Sequence, residues 1–392
     1  MVGRKRVSGR AKSVPLNLAQ CVLKVCMRIL FVFPGLHRVR RGAEVAFESI
    51  AQQIALEGEH KVTLIGSGVD IPSRPYRFKR VPAVSRDTFE RWPKMPFFRS
   101  EFMYEDLTFA AGLMTAHWRP EADLTVTCSY PYTNWALRAH LPGRRRPPHI
   151  FVTQNSDWPA YERRREYRFF SCEGLVCTNP IYWERNRDRW FSTLIPNGID
   201  PAKFHPGPAD RTRFGLPQNG PVVLMVSALE EGKRVLDGIR AVAKISDAFL
   251  VVAGDGPLRE DVDRLAADVM PNRFLRKTFP HEMMPLLYRS ADVFLHTAIR
   301  ESFGNVYIEA LASGTPVVAH DDEVTRWILE DRAYLVDTDS QPSLVEALEK
   351  AVRAPKGSPS QQAAYAFSRY SWSAVAKKYI DFFTEVLRRE QS

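Results

Sequence analysis

The sequence predicts an α/β fold in which two doubly wound domains face each other across a cleft. The chain has 392 residues, which is more than one hydrophobic core usually holds, so two domains are expected. Short apolar runs alternate with longer amphipathic runs, as they do in βαβ units with parallel sheets. The alternation starts afresh once, after a segment rich in proline, glycine and asparagine at 195–207. We interpret that segment as the linker between the domains.

Ten apolar runs have the composition of buried strands. Most are rich in β-branched residues and apolar on consecutive positions, a pattern typical of parallel strands that are covered on both faces. They are 29–33, 61–65, 124–127, 150–153, 175–177 and 193–195 in the first half, and 222–227, 249–253, 293–296 and 316–319 in the second. Helical periodicity is found at 43–56, 102–117, 236–245, 257–269 and, in the tail, 370–388.

These patterns predict four segments: 1–26, 27–195, 196–365 and 366–392. The formal net charge is +10, and residues 1–26 carry +6 of it. The first segment is either a poorly ordered basic extension, which we favour, or a segment that lies on a membrane surface. The rest of the chain is only mildly basic, so its charge does not demand a nucleic-acid partner.

Cysteine usage indicates a reducing compartment. The five cysteines (Cys21, Cys26, Cys128, Cys172 and Cys177) are odd in number and form no Cys-x-x-Cys pair, so free thiols are expected. We predict a cytoplasmic protein, with peripheral contact at the inner membrane face as an alternative. The arginine clusters at 144–146 and 163–165 are either a solvated basic face or a contact for a phosphate-bearing acceptor or membrane.

One stretch interrupts the alternation. Residues 71–100 contain five prolines and six aromatic residues. A long loop of this kind inside a compact domain usually has a function or is disordered, and the aromatic density argues against disorder. We therefore expect a functional loop.

The most informative segment is RESFGNVYIEALASGTPVVA at 300–319. It predicts a loop, then a helix that ends near Ser313 before Gly314, then a strand. The helix N-terminus, at Gly304 and Asn305, offers unpaired backbone N–H groups to an anion. Glu301 and Glu309 are eight residues apart, roughly 12 Å if both were helical. They cannot act on one bond as a paired acid and base, but they can hold two distant ends of one extended ligand.

This segment resembles the Glu–seven residues–Glu motif of family 4 of the retaining glycosyltransferases, enzymes with two facing Rossmann-like domains (the GT-B architecture). The resemblance implies that Glu309 holds the ribose of a nucleotide sugar and that Glu301 lies near the donor sugar. It also implies that Phe303, Gly304 and Asn305 face the diphosphate. The domain 27–195 would then bind the acceptor, with the 71–100 loop as a contributor, and 196–365 would bind the donor. Residues 366–392 would form a helix that crosses back to the first domain.

Two further segments of the second half resemble donor-binding loops of the same family. In VVAGDGPLRE (251–260), Gly254 permits a tight turn into the next helix. In MVSALEEGKRV (225–235), Lys233 is the candidate cation that offsets charge on the departing diphosphate. The family often has an arginine earlier in this loop, where this chain has Ala228, so Arg234 is either a substitute or a charged surface residue.

In the first half, FPGLHRVRRGAE (33–44) resembles the family loop that faces the donor across the cleft. Gly35 and Gly42 permit close backbone approach, although Arg41 replaces the first of two adjacent glycines that the family usually has. FVTQNSDWPAYE (151–162) follows a strand, and Gln154, Asn155 and Asp157 are candidates for binding acceptor hydroxyls. Ser156 or Asp157 could equally cap the following helix.

No metal or cofactor is expected. The nine histidines show no metal-ligand spacing, and we interpret His296, which ends an apolar strand, as a structural residue. The resemblance implies a metal-independent hexosyltransferase that retains the anomeric configuration. Its donor would be a UDP-sugar or GDP-mannose, and its acceptor a saccharide, a lipid-linked sugar or a small molecule. The alternatives are a nucleotide-sugar epimerase of the same fold and a catalytically silent sugar-binding protein.

Overall fold

The computed structural model describes residues 26–39, 41–89, 91–115, 121–139, 146–299, 301–354 and 358–391. The predicted extension therefore lies outside the described residues except for Cys26, and so do two arginines of the 144–146 cluster. The described part contains two parallel sheets separated by the linker. The four described cysteines are free thiols, and none of the described helices is long and apolar enough to cross a membrane.

The first sheet has seven strands in the order β3-β2-β1-β4-β5-β6-β7. All neighbouring pairs are parallel. The strands are β1 (Arg28–Val32), β2 (Lys61–Gly66), β3 (Arg77–Arg80), β4 (Leu124–Thr127), β5 (His149–Val152), β6 (Gly174–Cys177) and β7 (Ser192–Leu194). β4, β5 and β6 are buried along their whole lengths.

The second sheet has six strands in the order β10-β9-β8-β11-β12-β13, again all parallel. They are β8 (Val222–Val226), β9 (Phe249–Ala253), β10 (Phe274–Lys277), β11 (Val293–His296), β12 (Val317–His320) and β13 (Ala333–Val336). The carboxyl ends of parallel strands form one edge of a sheet, where doubly wound folds bind ligands.

The described residues contain fourteen α-helices, of which the last three follow the final strand. In the first domain they are α1 (Gly42–Leu56), α2 (Glu101–Thr115), α3 (Tyr132–Arg138), α4 (Trp158–Tyr161) and α5 (Pro180–Asn186). The next are α6 (Arg211–Phe214), α7 (Val235–Ala243), α8 (Arg259–Val269), α9 (Met284–Ser290) and α10 (Asn305–Ser313). The last are α11 (Glu323–Leu329), α12 (Gln341–Arg353), α13 (Pro359–Tyr370) and α14 (Trp372–Arg389).

The prediction of two facing Rossmann-like domains is confirmed, and all ten predicted strands are present within one residue at each end. Three strands were not predicted: β3, β10 and β13. Each lies at an edge of its sheet, and their residues are largely half-exposed. A strand with only one neighbour can carry charged side chains, so β3 (RFKR) and β10 (FLRK) lack the apolar run of a central strand. This reason does not apply to β13, whose sequence AYLV is apolar.

The 71–100 stretch was predicted as a loop without regular structure, and this was wrong in part. It contains β3 and a short 3₁₀ helix at Arg86–Phe89. Two of its aromatic rings pack against α2. Phe89 stacks on Tyr104 of α2 with ring centroids 5.2 Å apart, and Phe98 stacks on the same ring at 4.6 Å.

The chain passes between the domains twice, at neighbouring positions. Ile199 in the linker donates its N–H to the carbonyl of Tyr370 at 2.7 Å, and Trp372 donates its N–H to Ile199 at 3.1 Å. A side chain at Gly198 would overlap the Trp372 ring, because a Cβ there would lie 2.4 Å from it. Beyond this point α14 packs on the first domain, where Phe383 and Phe31 share one core with centroids 6.4 Å apart.

Candidate active site

A cavity of about 320 Å³ lies between the carboxyl ends of the two sheets. Gly42, Gln154, Thr178 and Asn197 line it from the first domain and the linker. From the second domain its lining residues are Val226, Ser227, Ala228, Lys233, His296, Glu301, Ser302, Phe303, Gly304, Asn305 and Val306. The cavity therefore joins loops that follow strands of both sheets, as expected for a ligand site in this kind of fold.

Two helix N-termini meet at this cavity. α10 begins after Gly304, whose φ of 76° is left-handed and which supplies no side-chain cap. α1 begins at Gly42, and its N-cap Arg41 also makes no side-chain capping bond. A Cβ at Gly42 would lie 3.9 Å from Nδ2 of Asn305, so the two termini approach closely. Uncapped N–H groups and helix dipoles favour a negatively charged ligand between them.

The Glu301 carboxylate is held by two basic side chains. It forms an ion pair with the Lys233 ammonium and a hydrogen bond of 2.9 Å to Nε2 of His296. Burial alone would raise the pKa of Glu301, but the hydrogen bonds and charges of His296 and Lys233 outweigh it and lower the pKa to about 2. Glu301 is therefore ionised at neutral pH. The Lys233 ammonium is in turn paired with this carboxylate.

Glu309 has a different environment. Its carboxylate accepts a hydrogen bond from the Tyr288 hydroxyl of α9 at 2.9 Å. Burial raises its pKa to about 7, and the bond from Tyr288 offsets only part of that effect. Glu309 does not line the 320 Å³ cavity but lies one turn further along α10, so the two glutamates do not share one contact point.

A line of amides connects the two domains beside the cavity. Gln154 Nε2 donates to Oδ1 of Asn197 at 2.6 Å, and Asn197 Nδ2 donates to Oδ1 of Asn305 at 3.0 Å. Gln154 follows β5, Asn197 lies in the linker and Asn305 opens α10. These bonds fix the distance between the first domain and the helix N-terminus.

A second set of bonds holds the loop that carries Glu301. Asn179, at the start of α5, donates from Nδ2 to the carbonyl of Ser302 at 2.5 Å. Its Oδ1 accepts from the N–H of Tyr182 at 2.8 Å and so caps α5. The Tyr182 hydroxyl is also 3.2 Å from Ser302 Oγ. The first domain therefore positions a loop of the second.

The structure brings together seven of the predicted site residues. Lys233, Glu301, Phe303, Gly304, Asn305, Gly42 and Gln154 all line the cavity. Phe303 is buried and packs on Trp327 and Tyr370, with centroids 6.1 Å away in both cases. Its ring therefore supports the loop from the protein side.

Two predicted glycines, Gly254 and Gly35, pack closely against neighbouring groups outside the cavity lining. A Cβ at Gly254 would lie 1.8 Å from the carbonyl oxygen of Ser227, so this turn packs against the backbone of the loop that lines the cavity. A Cβ at Gly35 would lie 2.1 Å from Oε1 of Glu44. Both positions require glycine because of close packing, and neither residue lines the cavity.

Three predicted residues lie apart from the cavity. Arg234 pairs with Asp237 and Asp339 at 3.0 and 2.8 Å and does not line the cavity. Asp157 is buried, and its carboxylate accepts from Nδ2 of Asn186 at 2.9 Å. It therefore neither faces the cavity nor caps α4 with its side chain. Asn155 is exposed and also outside the lining.

Sequence reasoning missed several residues that line the cavity. His296, which we interpreted as a structural residue, lines the cavity, and its ring contacts Glu301. Its position at the carboxyl end of β11 was the available signal, since ligands bind at that edge. Asn197 gave no comparable signal, because it also fits a turn. Among the described residues, no group of three or more His, Cys, Asp or Glu is arranged to hold a metal ion.

Comparison with solved structures defines the architecture as GT-B. The chain superposes on sucrose-phosphate synthase from Thermosynechococcus elongatus with a TM-score of 0.72 and 18% identity, over 93% of this chain and 100% of that one. It superposes on Anabaena HepE in complex with UDP-glucose with a TM-score of 0.67 and 17% identity, over 93% and 100%.

Sequence comparison points to named relatives, mainly through the second domain. Residues 208–369 match the family model described as glycosyl transferases group 1. The chain is 35% identical over 139 residues to 2-deoxystreptamine glucosyltransferase of Streptomyces kanamyceticus, covering 32% of this chain and 36% of that enzyme. It is 32% identical over 210 residues to phosphatidyl-myo-inositol mannosyltransferase of Mycobacterium tuberculosis, covering 49% and 53%. The chain thus spans about half or less of the length of these relatives.

Proposed function

We propose that this protein is a glycosyltransferase that moves a hexose from a nucleotide sugar to an acceptor hydroxyl with retention of configuration. One observation carries the proposal: Lys233, Glu301 and the uncapped N-terminus of α10 meet in a cavity whose opposite wall is the uncapped N-terminus of α1. A diphosphate is the ligand that such a concentration of positive potential fits best.

The donor would lie along α10. The diphosphate would accept hydrogen bonds from the N-termini of α10 and α1 and would take Lys233 from its ion pair with Glu301. Glu309 would bind the ribose hydroxyls, and Glu301, released from Lys233 but still bonded to His296, would bind the hexose. We favour a uridine nucleotide, in keeping with the UDP-glucose bound to HepE, and GDP-mannose as the alternative.

Lys233 and the two helix N-termini would stabilise the charge that develops on the departing diphosphate. We propose that these groups replace a divalent cation and that the diphosphate oxygen accepts the proton of the acceptor hydroxyl on the same face of the sugar. Gln154 is the first-domain side chain best placed to orient an acceptor hydroxyl. The named relatives use an aminocyclitol and an inositol lipid, so a small polyol or a lipid-linked acceptor fits the same class.

The first test is a ligand screen by thermal denaturation with UDP, GDP and ADP. The nucleotide that binds should raise the melting temperature in a concentration-dependent way. The preferred nucleotide sugar is then incubated with and without a mixture of acceptors, and release of free nucleotide is measured. Acceptor-dependent release is the expected result. Binding without release would support a silent sugar-binding protein, and conversion of the sugar without an acceptor would support an epimerase.

A further inference from the structure

The exposed aromatic side chains of this protein are concentrated on one domain. Among the described residues, every exposed large aromatic side chain lies in two short segments, 92–97 and 158–169. The exposed fractions are 50% for Trp92, 41% for Phe97, 55% for Trp158, 47% for Tyr161 and 54% for Phe169. Single exposed apolar residues are common, but a group of them on one surface indicates an interaction site.

The two segments form one continuous surface. The Tyr132 hydroxyl donates to the carbonyl of Phe97 at 2.7 Å, and the Tyr132 ring lies 5.6 Å from that of Trp135. Trp135 in turn contacts Phe169 with centroids 6.1 Å apart. An ion pair between Arg99 and Glu166 joins the segments a second time. Phe97 and Phe169 therefore lie on one face, beside the carboxyl ends of β4 and β5, and α4, which carries Trp158 and Tyr161, contacts the 3₁₀ turn at Arg165–Phe169.

This face is strongly basic. Arg163, Arg164, Arg165 and Arg168 are all exposed within the second segment. The two acids in the same stretch offset only part of this charge. Glu166 is buried against Arg99. Glu162 accepts the backbone N–H groups of Arg163 and Arg164 at 2.8 and 3.0 Å. Four guanidinium groups therefore stand beside the exposed rings and are available to anions outside the chain.

We propose that this aromatic–arginine face, the exposed rings of 92–97 and 158–169 with the four arginines of 163–168, docks on an anionic phospholipid bilayer. Tryptophan and tyrosine rings are stable at the headgroup level because one end is apolar and the other polar. Arginines beside them pair with lipid phosphates. Met95 is 46% exposed. Contact with acyl chains would bury its apolar side chain, whereas it has no polar group that could bind a sugar polymer.

The aromatic–arginine face lies close to the cleft in the sequence. Trp158 is four residues beyond Gln154, which lines the cleft. A bilayer bound here would lie beside the first-domain wall of the cavity, where a lipid-linked acceptor could enter without leaving the membrane. Bilayer binding itself needs neither donor nor transfer, so it can be tested independently of the proposed function.

The experiment is co-sedimentation of the full chain with two kinds of vesicle. One kind is phosphatidylcholine alone, and the other is an equal mixture of phosphatidylcholine and phosphatidylglycerol. The wild-type protein should sediment with the anionic vesicles only, and added salt should weaken the binding. The triple variant R163Q/R164Q/R165Q should partition about 30- to 100-fold less, and W158S/F169S about tenfold less because less apolar surface is buried.

A matched variant, R240Q/R264Q/R353Q, removes the same charge from exposed positions of the second domain and should bind as the wild type does. Quenching of tryptophan fluorescence by brominated lipid should fall in W92F/W158F, which reports ring insertion. Equal losses in the two arginine variants would overturn the proposal. The proposal would also fail if the wild-type protein did not bind anionic vesicles. Binding to an immobilised anionic polysaccharide, without binding to these vesicles, would point to a different partner and would contradict it as well.

Discussion

Glu301 and Glu309 lie on one short segment, yet their surroundings drive their charges in opposite directions. Glu301, in the loop before α10, is kept ionised by Lys233 and His296, with a pKa of about 2. Glu309, inside α10, is half-buried beside Tyr288 and has a pKa of about 7. The comparison shows that Glu301 is ionised throughout the neutral range, whereas Glu309 changes its charge within that range.

The largest expected effect comes from removing Lys233, the cation that pairs with Glu301. In K233A the departing diphosphate loses its only nearby ammonium among the cavity-lining residues, so the transfer rate should fall by about 10²- to 10³-fold. The control is K244A, an exposed lysine after α7, which should transfer normally. A K233A enzyme within threefold of the wild-type rate would mean that the helix N-termini carry the charge stabilisation alone.

The pH dependence should separate the two glutamates. Above about pH 7 Glu309 is ionised and accepts the ribose hydroxyls better, so nucleotide affinity should rise by up to about tenfold between pH 6 and 8. The stability effect has the opposite sign. Because folding raises this carboxyl's pKa, the folded state binds more protons, and the free energy of unfolding should fall as pH rises from about 5 to 7.

Calorimetric titration with nucleotide between about pH 6 and 8 measures the first trend, and urea denaturation between about pH 5 and 7 measures the second. Glu309→Gln should remove both, whereas Glu301→Gln should leave both in place. Trends that survive in Glu309→Gln would have to come from another group.

A moderate effect is expected from the contact through which the first domain positions the Glu301 loop. N179D keeps the oxygen that caps α5 but loses the N–H that Ser302 accepts, whereas N179A loses both. Both variants should bind the nucleotide sugar about five- to tenfold more weakly. Only N179A should lose about 1 kcal/mol of stability through the missing cap. If N179D bound normally, the loop would be positioned without this bond.

The smallest effect should come from Tyr182. Its hydroxyl is 3.2 Å from Ser302 Oγ, a half-exposed contact that adds to the Asn179 bond. Tyr182→Phe should lower donor affinity by about twofold, and combined with N179D it should cost more than the sum of the two single changes, because both act on one loop. Strict additivity in the double-mutant cycle would contradict a shared role.

The sequence predicted the central strands, the α10 segment and five of the eleven second-domain residues that line the cavity. Each is marked by local patterns such as apolar runs, glycine at a helix start and paired glutamates. The sequence left open whether Arg234 and Asp157 bind a ligand, and the structure places both apart from the cavity, because their partners are distant or unmarked. Asp339 lies 105 residues beyond Arg234, and Asn186 has no pattern that marks it as a carboxylate ligand. The Gln154–Asn197–Asn305 line depends on the packing of two domains, which local patterns do not encode.

Binding of UDP and of the UDP-sugar to the wild-type protein, E301Q and E309Q tests the arrangement most directly. E309Q should weaken both ligands by about tenfold or more, since both contain the ribose. E301Q should bind UDP at least as well as the wild type, because Lys233 is released, but should lose the extra affinity that the hexose provides. If both variants bound both ligands with wild-type affinity, the two glutamates would not hold the ends of a nucleotide sugar.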